Sequence, residues 1–552
     1  MSRHRSVPRA PRPAPGAIRA GLGAALLGLA LACSHGSAPP EPRHVLLIVV
    51  DTQRADHLSC YGHPRPTSPA LDALAAEGVR FENCVSQCSW TSPSMVSMMT
   101  SSYLGNELLE IPKDKTVVAE VFQKAGYATG AFICNDLLSP KNGFDRGFDV
   151  CEWELHPYGS NQPILDWIER NQDRKTFTFV HLNEVHDDAG TYGPQPIAEG
   201  RFRREMPAFS PERLRYYDQV GEELHLVEKE ASLQTMRADI GGYDDDVLYS
   251  DRRIGEILER YKSLGLWKDT AVVVGADHGE GLFTRVQFMH GTRKTAMEKG
   301  QPPTLLNTLH MTHGSHLNWE LVHVPLIVKA PGVAPGVATG YVENVDVVPT
   351  LLALAGLSAP KGAQGRSLVP FLLDPKRTEG LAEAVTSLTR FNLSAISQDG
   401  MQLLRPTPRG ECDFAIVDEL YDLGADLEER VNVAGAQREL VRRLGTLAEQ
   451  RAKSGIHGAT RPSDPATVKA LISLGYLGSD VVDSVSEELA AKPTAAIVAE
   501  IGQEQDCLLR LQMVRALGGR QLEAEMRAGL EAQLARESST AVREEIRGLL
   551  AH

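Results

Sequence analysis

Positive charge is in short supply, with 57 lysines and arginines against 71 aspartates and glutamates and a net charge of −14 over 552 residues. That balance lacks the electrostatic footprint of a nucleic-acid binder, so no nucleic-acid partner is expected. Paired cysteine spacing is missing too. The eight cysteines contain no C-x-x-C, which argues against a thiolate zinc site and thioredoxin-like chemistry. Beyond Ala32 no apolar run reaches the length of a membrane span. What is present suits a packed protein: 42% hydrophobic residues, 23% charged residues and 48 glycines. This composition excludes global disorder and fibrous repeats, and the length excludes a lone small module in favour of roughly two to four structural units.

Arg3, Arg5, Arg9, Arg12 and Arg19 precede a short apolar run from Ala20 to Ala32, the pattern of a secretory signal rather than a span. The run ends Leu29-Ala-Leu-Ala-Cys33. It is similar to a bacterial lipoprotein cleavage site, at which Cys33 would carry lipid; a plain signal peptide with an incidental cysteine is the alternative. On this expectation residues 1–32 are removed and residues 33–43, with Pro39, Pro40 and Pro42, form a tether. The mature protein is then exported to the bacterial cell envelope, in the periplasm or at the outer membrane, and meets a membrane only through its lipid anchor. Lipidation of Cys33 leaves an odd number of cysteines, so in an oxidising compartment one thiol stays unpaired or pairs outside the chain.

His44-Val-Leu-Leu-Ile-Val-Val50 is a continuous β-branched and aliphatic run that stops at Asp51. Such a run marks a strand covered on both faces. Phe177 to Leu182, Thr270 to Gly275 and Val324 to Val328 look alike, and helical patterns such as Ser68 to Gly78 and Val247 to Leu264 lie between them. The alternation predicts an α/β fold with a large, mostly parallel sheet flanked by helices. Ligands bind beyond the carboxyl ends of such strands, and the first three runs are followed by Asp51, by His186, and by Asp277 with His278. An aspartate after a strand also serves as a turn former or helix cap. Convergence of three such ends instead suggests a site, and Asp51, Asp277 and His278 are suitable ligands for a divalent cation. Cys88-Ser-Trp-Thr-Ser-Pro-Ser-Met95 reads as a turn entering a helix, with Pro93 in its first turn. Thr91 then stands at a helix N-terminus, either as a nucleophile whose developing charge the dipole favours or as a plain N-cap.

With these residues go ordered motifs: Val50-Asp-Thr-Gln-Arg-Ala-Asp-His-Leu-Ser-Cys-Tyr-Gly62, Val180-His-Leu-Asn-Glu-Val-His186, Ala276-Asp-His-Gly-Glu280 and Thr312-His-Gly314. Val345-Asp-Val-Val-Pro-Thr-Leu-Leu352, Gly365-Arg-Ser-Leu368, Glu419-Leu-Tyr-Asp-Leu423 and Leu474-Gly-Tyr-Leu-Gly478 follow. In order and spacing the chain resembles the sulfatase branch of the alkaline phosphatase superfamily. The resemblance implies a metal-dependent hydrolase with an alkaline phosphatase-like sheet domain (44–375), a smaller α+β subdomain (376–478) and, beyond the family core, a helical tail (479–552). It implies Asp51, Asp277, His278 and Thr91 as metal ligands, Thr91 as nucleophile, and His186 and His313 as contacts to the ester anion or leaving group. Arg54, Asn135 and His290 are candidate substrate contacts. Arg54 with Asp56 serves equally well as a brace of the loop after Asp51, and Asn135 stands near where many members carry a substrate-binding lysine.

Several positions depart from the family pattern. Sulfatases place a cysteine or serine of a C-x-P-x-R motif where Thr91 stands, and oxidise it to formylglycine. Threonine bears a β-methyl group and cannot yield that aldehyde, so no formylglycine is expected. Met95 replaces the motif's arginine and cannot donate hydrogen bonds, while Thr52 replaces a second aspartate. The expected activity is hydrolysis of sulfate or phosphate-type esters, on a small molecule or glycan, through a Thr91 nucleophile and one divalent ion. Calcium is expected first, with zinc or manganese as alternatives. A different class remains open: an inactive sulfatase-like surface lipoprotein that binds anionic glycans. Outside the site, Asp251 is expected to brace structure, Asp244 to Asp246 to open a helix facing solvent, and Leu522, Met526, Leu530 and Leu534 to pack short helices.

Overall fold

The apolar stretch His44–Val50 forms strand β1, and every one of its seven residues is buried. The structure, a computed structural model, describes residues 39–186, 200–223, 226–285, 304–309, 313–458 (apart from 315, 390–391 and 407–417), 492–501 and 522–536, with scattered positions between 513 and 550. The signal-like segment, Cys33, His290 and Leu474 to Gly478 lie outside the described residues. After β1 come β2 (Val79–Val85), β3 (Ala128–Ile133), β4 (Val150–Glu152), β5 (Thr176–Leu182), β6 (Thr270–Ala276), β7 (His323–Lys329) and β8 (Gly336–Glu343). They form one eight-stranded sheet in the order β4-β3-β5-β1-β6-β7-β2-β8.

All neighbours pair parallel except β7, which runs antiparallel to both β6 and β2. The mostly parallel α/β fold expected from the sequence is therefore present, with one strand reversed. Helices cover both faces, which is why β1 is apolar from Val45 to Val50. One apolar cluster holds Val45, Leu47, Val49, Phe177 and Phe179; the other holds Leu46, Ile48, Val50, Val180 and Leu182. A second, antiparallel sheet of β9 (Ala384–Leu388), β10 (Asn392–Ser397), β11 (Met401–Pro406) and β12 (Glu419–Asp422) carries the helix Arg438–Ser454. In the tail, Ile497, Ile501, Met513, Val514, Leu517, Leu530 and Ile546 make a small cluster of their own, flanked by Leu522 and Leu534. Among the described residues no helix is long and apolar enough to cross a membrane, and Cys60, Cys84, Cys88, Cys134 and Cys151 form no disulfide.

The acidic run requires a correction. Asp244 to Asp246 do not open a helix towards solvent; they lie buried in the middle of the long helix Lys229–Ser263. Asp244 accepts from His57 Nδ1 at 2.6 Å and Arg65 Nη1 at 2.8 Å. Asp245 accepts the backbone N–H groups of Phe202 and Arg203. Burial pushes the Asp244 carboxyl up, but His57 and His63 outweigh it and hold it well below the usual range. The partners come from distant parts of the chain, so local charge patterning could not reveal them.

Asp251, from the same helix, takes the N–H groups of Ala70 and Leu71 at 2.8 Å each and so caps the helix Pro69–Glu77, whose own Ser68 supplies no cap bond. Asp251→Ala is expected to cost about 1–3 kcal/mol in a urea titration, since two buried donors lose their acceptor. Burial raises this carboxyl to about 6 against those two hydrogen bonds. A folded-state value above the unfolded one means the group's proton-linked stabilisation is whole below about pH 4 and lost as pH rises through 6. The cost of Asp251→Ala is thus expected to be larger at pH 5 than at pH 8, and an equal or reversed difference would contradict this.

Candidate metal and nucleophile site

Strand register brings the polar groups together. Val50 at the end of β1 pairs with Leu182 of β5 and Ala276 of β6, so Asp51, Asn183 and Asp277 leave three adjacent strands at one level. Gly279 then lets the chain pass close to its neighbour, because a Cβ there would lie 2.1 Å from the Glu320 carbonyl oxygen. Thr91 is the first residue of the helix Thr91–Thr100. Ser94 Oγ of this helix donates to the Asp277 carbonyl at 2.6 Å, pinning the helix start to the end of β6.

Asp51, Thr91, Asp277 and His278 are all 0% exposed. Thr91 Oγ1 lies 3.4 Å from both carboxylate oxygens of Asp51 and 3.3 Å from His278 Nε2. The plain N-cap role does not apply, because Trp90 holds the cap position and Thr91 Oγ1 faces the carboxylate and imidazole. His278 Nδ1 donates to the Gly279 carbonyl at 2.9 Å, which turns Nε2 towards Asp51 and Thr91. Asp277 Oδ1 accepts the N–H groups of His278 and Thr52. Thr52, a β-branched residue, is held at φ 55°, a conformation that persists only where the surroundings enforce it.

The ring of atoms fits a divalent cation. Asp277 Oδ2, Thr52 Oγ1 and both ring nitrogens of His181 are buried without a hydrogen bond. His278 Nε2 stands 3.3 Å from Asp51 Oδ1 and 3.7 Å from Asp277 Oδ2. These spacings exceed the roughly 2.9 Å of a hydrogen bond and lie between the ~3.0 Å and ~4.2 Å that separate adjacent and opposite ligands on an ion with arms of about 2.1 Å. Burial pushes the Asp51 carboxyl up, yet His186, His278 and His181 together hold it far below its ordinary range. Conversely, burial would lower His278, but Asp277 and Asp51 raise it to about 9. A carboxylate held ionised in a closed site requires positive charge beside it.

His186 and His313 border this centre. His313 Nδ1 is 2.9 Å from Glu280 Oε2, and its ring lies 4.5 Å from that of His278 and 5.0 Å from that of His186. His186 sits on the one-turn helix Glu184–His186, anchored by a buried ion pair between Glu184 and Arg253. Arg253 also donates to Asn161 Oδ1 at 3.0 Å and to the Pro157 carbonyl. Arg253→Ala leaves a buried carboxylate without its partner. A loss of about 3–5 kcal/mol in chemical denaturation is expected; a loss below about 1 kcal/mol would show that the pair does not hold this turn.

Two expected substrate contacts are otherwise engaged. Arg54 binds Asp56 through Nε at 2.8 Å and Nη2 at 2.6 Å, and donates from Nη1 to the Glu280 carbonyl at 2.9 Å. It braces the loop after Asp51. Asn135 donates to Asp51 Oδ2 at 2.8 Å and Asn183 Oδ1 at 3.1 Å while accepting the Leu137 N–H, so it orients a carboxylate. Met95 is buried in the main apolar cluster. His181, Asn183 and Glu280 were missed as site residues, although all three stand inside quoted motifs. A histidine within a strand buried on both faces was the available signal for His181.

A profile of the sulfatase family matches residues 43–357. The chain is 26% identical over 366 residues to the ulvan-active sulfatase of Formosa agariphila, covering 61% of this chain and 66% of that protein. It therefore spans just under two thirds of that relative's length. Among solved structures, the phosphonate monoester hydrolase of Agrobacterium radiobacter superposes with a TM-score of 0.56 at 20% identity, covering 75% of this chain and 96% of the other. BT4656, in complex with its substrate D-glucosamine-2-N,6-O-disulfate, gives 0.55 at 19% identity, with 75% and 98% covered. Those two likenesses establish the fold. Together with the family profile over more than half of the chain, they place this protein in the sulfatase family of the alkaline phosphatase superfamily.

Proposed function

We propose that this protein hydrolyses sulfate or phosphate-type esters by covalent catalysis at Thr91, with one divalent ion held by Asp51, Asp277, His278 and Thr91. The observation that carries this is the placement of Thr91 Oγ1, buried at a helix start and equidistant from the two Asp51 oxygens. A bound divalent ion would supply Lewis acidity and lower the cost of forming the threonine alkoxide. Thr91 Oγ1 bonds to phosphorus or sulfur as the ester oxygen departs, and Asp51 is placed to receive the hydroxyl proton. His186 and His313 are placed to donate N–H bonds to the anion or to protonate the leaving oxygen. Water then attacks the same centre in line, and Thr91 regains its proton.

Thr91 bears on substrate class. A formylglycine hydrate expels sulfate by breaking its own C–O bond, a route closed to a threonyl sulfate, whereas a threonyl phosphate or phosphonate is opened by in-line water. Relatives bearing phosphonate monoester hydrolase and sulfatase names support both ester types, and a neighbour bound to a sulfated glucosamine supports an anionic sugar as substrate. Export to the cell envelope and a lipid anchor at Cys33 belong to the same proposal. A panel of aryl sulfate, phosphate mono- and diester and phosphonate monoester, assayed with and without added divalent ion, tests it. Metal-dependent turnover of at least one ester is expected. No turnover of any of them, together with saturable binding of a sulfated glycan, would instead identify a binding protein.

A further inference from the structure

The carboxyl edge of β5 carries a histidine that the proposed mechanism does not use. His181 pairs in register with Val49 on one side and Ile133 on the other, and alternation along the strand puts it on the face of Phe177 and Phe179, which pack in the main apolar cluster. An aliphatic residue would suit that position. Instead an imidazole stands there, 0% exposed, with neither ring nitrogen in a hydrogen bond. Burying two unsatisfied polar atoms is costly, so something must compensate them.

The polar atoms paired with its Nε2 are Asp51 Oδ2 and Asp277 Oδ2, both at 3.9 Å. Those distances are too long for hydrogen bonds, and Asp277 Oδ2 makes none elsewhere. Ligand atoms of Asp51, His181 and Asp277 all lie within 4.8 Å of one another. The two 3.9 Å distances from His181 Nε2 fall inside the ~4.2 Å that separates opposite ligands on an ion with arms of about 2.1 Å. His278 Nε2 faces the same two carboxylates from the other side.

We propose that His181 is a further protein ligand of the metal centre, and that the two imidazoles make this centre select a first-row transition ion, such as Zn²⁺, over Ca²⁺. The inference rests on the metal site of the proposed function and departs from the calcium preference expected from the family resemblance. Its physical basis is donor chemistry. Calcium takes six to eight oxygen ligands in a loose shell, whereas here the close donors are two nitrogens, two carboxylates and one hydroxyl, and imidazole favours zinc and its neighbours. Thr52, where a second aspartate would have supplied a charged oxygen, removes the donor a calcium shell would want.

The test uses the full chain, stripped of metal and offered Zn²⁺ and Ca²⁺ in competition, with retained metal counted by elemental analysis. The wild type is expected to keep about one equivalent of zinc in the presence of a large excess of calcium. His181→Gln exchanges the ring nitrogen for an amide oxygen and is expected to weaken zinc binding by on the order of 100-fold while narrowing the preference over calcium. Co²⁺ substitution gives a second readout, because loss of a nitrogen donor alters the visible spectrum whether or not the variant turns over substrate. A wild type that retains calcium in preference to zinc overturns the inference alone. So does a His181→Gln protein with unchanged zinc affinity and cobalt spectrum, provided that its circular dichroism matches the wild type. A wild type that binds neither ion overturns the proposed metal site as well.

Discussion

Thr91→Ala is expected to lower kcat/KM on the best ester substrate by on the order of 10⁴-fold or more, as removal of a covalent nucleophile does elsewhere. Thr91 is buried at the start of the helix Thr91–Thr100, with its hydroxyl against Asp51 and His278. Alanine keeps the helix and its packing but removes the attacking oxygen and one donor to the ion. Because Trp90 and not Thr91 holds the cap position, the variant should lose little stability, within about 1 kcal/mol. Thr91→Ser keeps the hydroxyl and is expected to stay within about 100-fold of the wild type, the loss reflecting a freer rotamer. Rapid quenching with a slow phosphonate or phosphate ester should trap one covalent adduct on Thr91 in the wild type and none in Thr91→Ala. Full activity in Thr91→Ala would sink the covalent mechanism, and so would an adduct on another residue.

Stripping the divalent ion is the second large effect, acting on turnover and stability together. Asp51 and Asp277 are fully buried in the same closed site, and their attraction for a cation is what the ion satisfies. Chelation is expected to abolish turnover and to lower the melting temperature, and restoring the metal should reverse both. An ion present at about 100 times its dissociation constant stabilises the fold by roughly 2.7 kcal/mol. Asp51→Asn removes one ionised ligand and should abolish the thermal response to added metal at that concentration. Unaltered melting and turnover after exhaustive chelation, confirmed by elemental analysis, would remove the metal from the mechanism.

The motifs made the site partly legible in advance. Asp51, Asp277 and His278 stood out because each ends an apolar run, and a polar residue there has only the strand's carboxyl edge to occupy. Arg54 and Asn135 show what sequence leaves open: side-chain chemistry says what a residue can bind but not which neighbour reaches it first. Arg54 meets Asp56 two residues away, while Asn135 meets Asp51 across the sheet. His181 was passed over because a lone histidine in a strand resembles core packing until its unsatisfied nitrogens are seen facing two carboxylates. Asp244 to Asp246 reversed their reading because the helix begins at Lys229, far upstream of where local pattern placed it.

By itself the sequence determined the class of fold, the strand ends that carry chemistry, and a threonine that cannot become formylglycine. Burial pattern and covalent structure are properties of local sequence, and both can be read without knowing how strands pair. Tertiary structure alone decided that β7 runs against its neighbours and that Val50, Leu182 and Ala276 share one level. It alone set His181 beside Asp51 and Asp277. Strand direction and register are fixed by contacts between segments far apart in the chain, from about fifty residues for β6 with β7 to more than two hundred for β1 with β6. The geometry of the site, and with it the metal the site selects, exists only once those segments have paired.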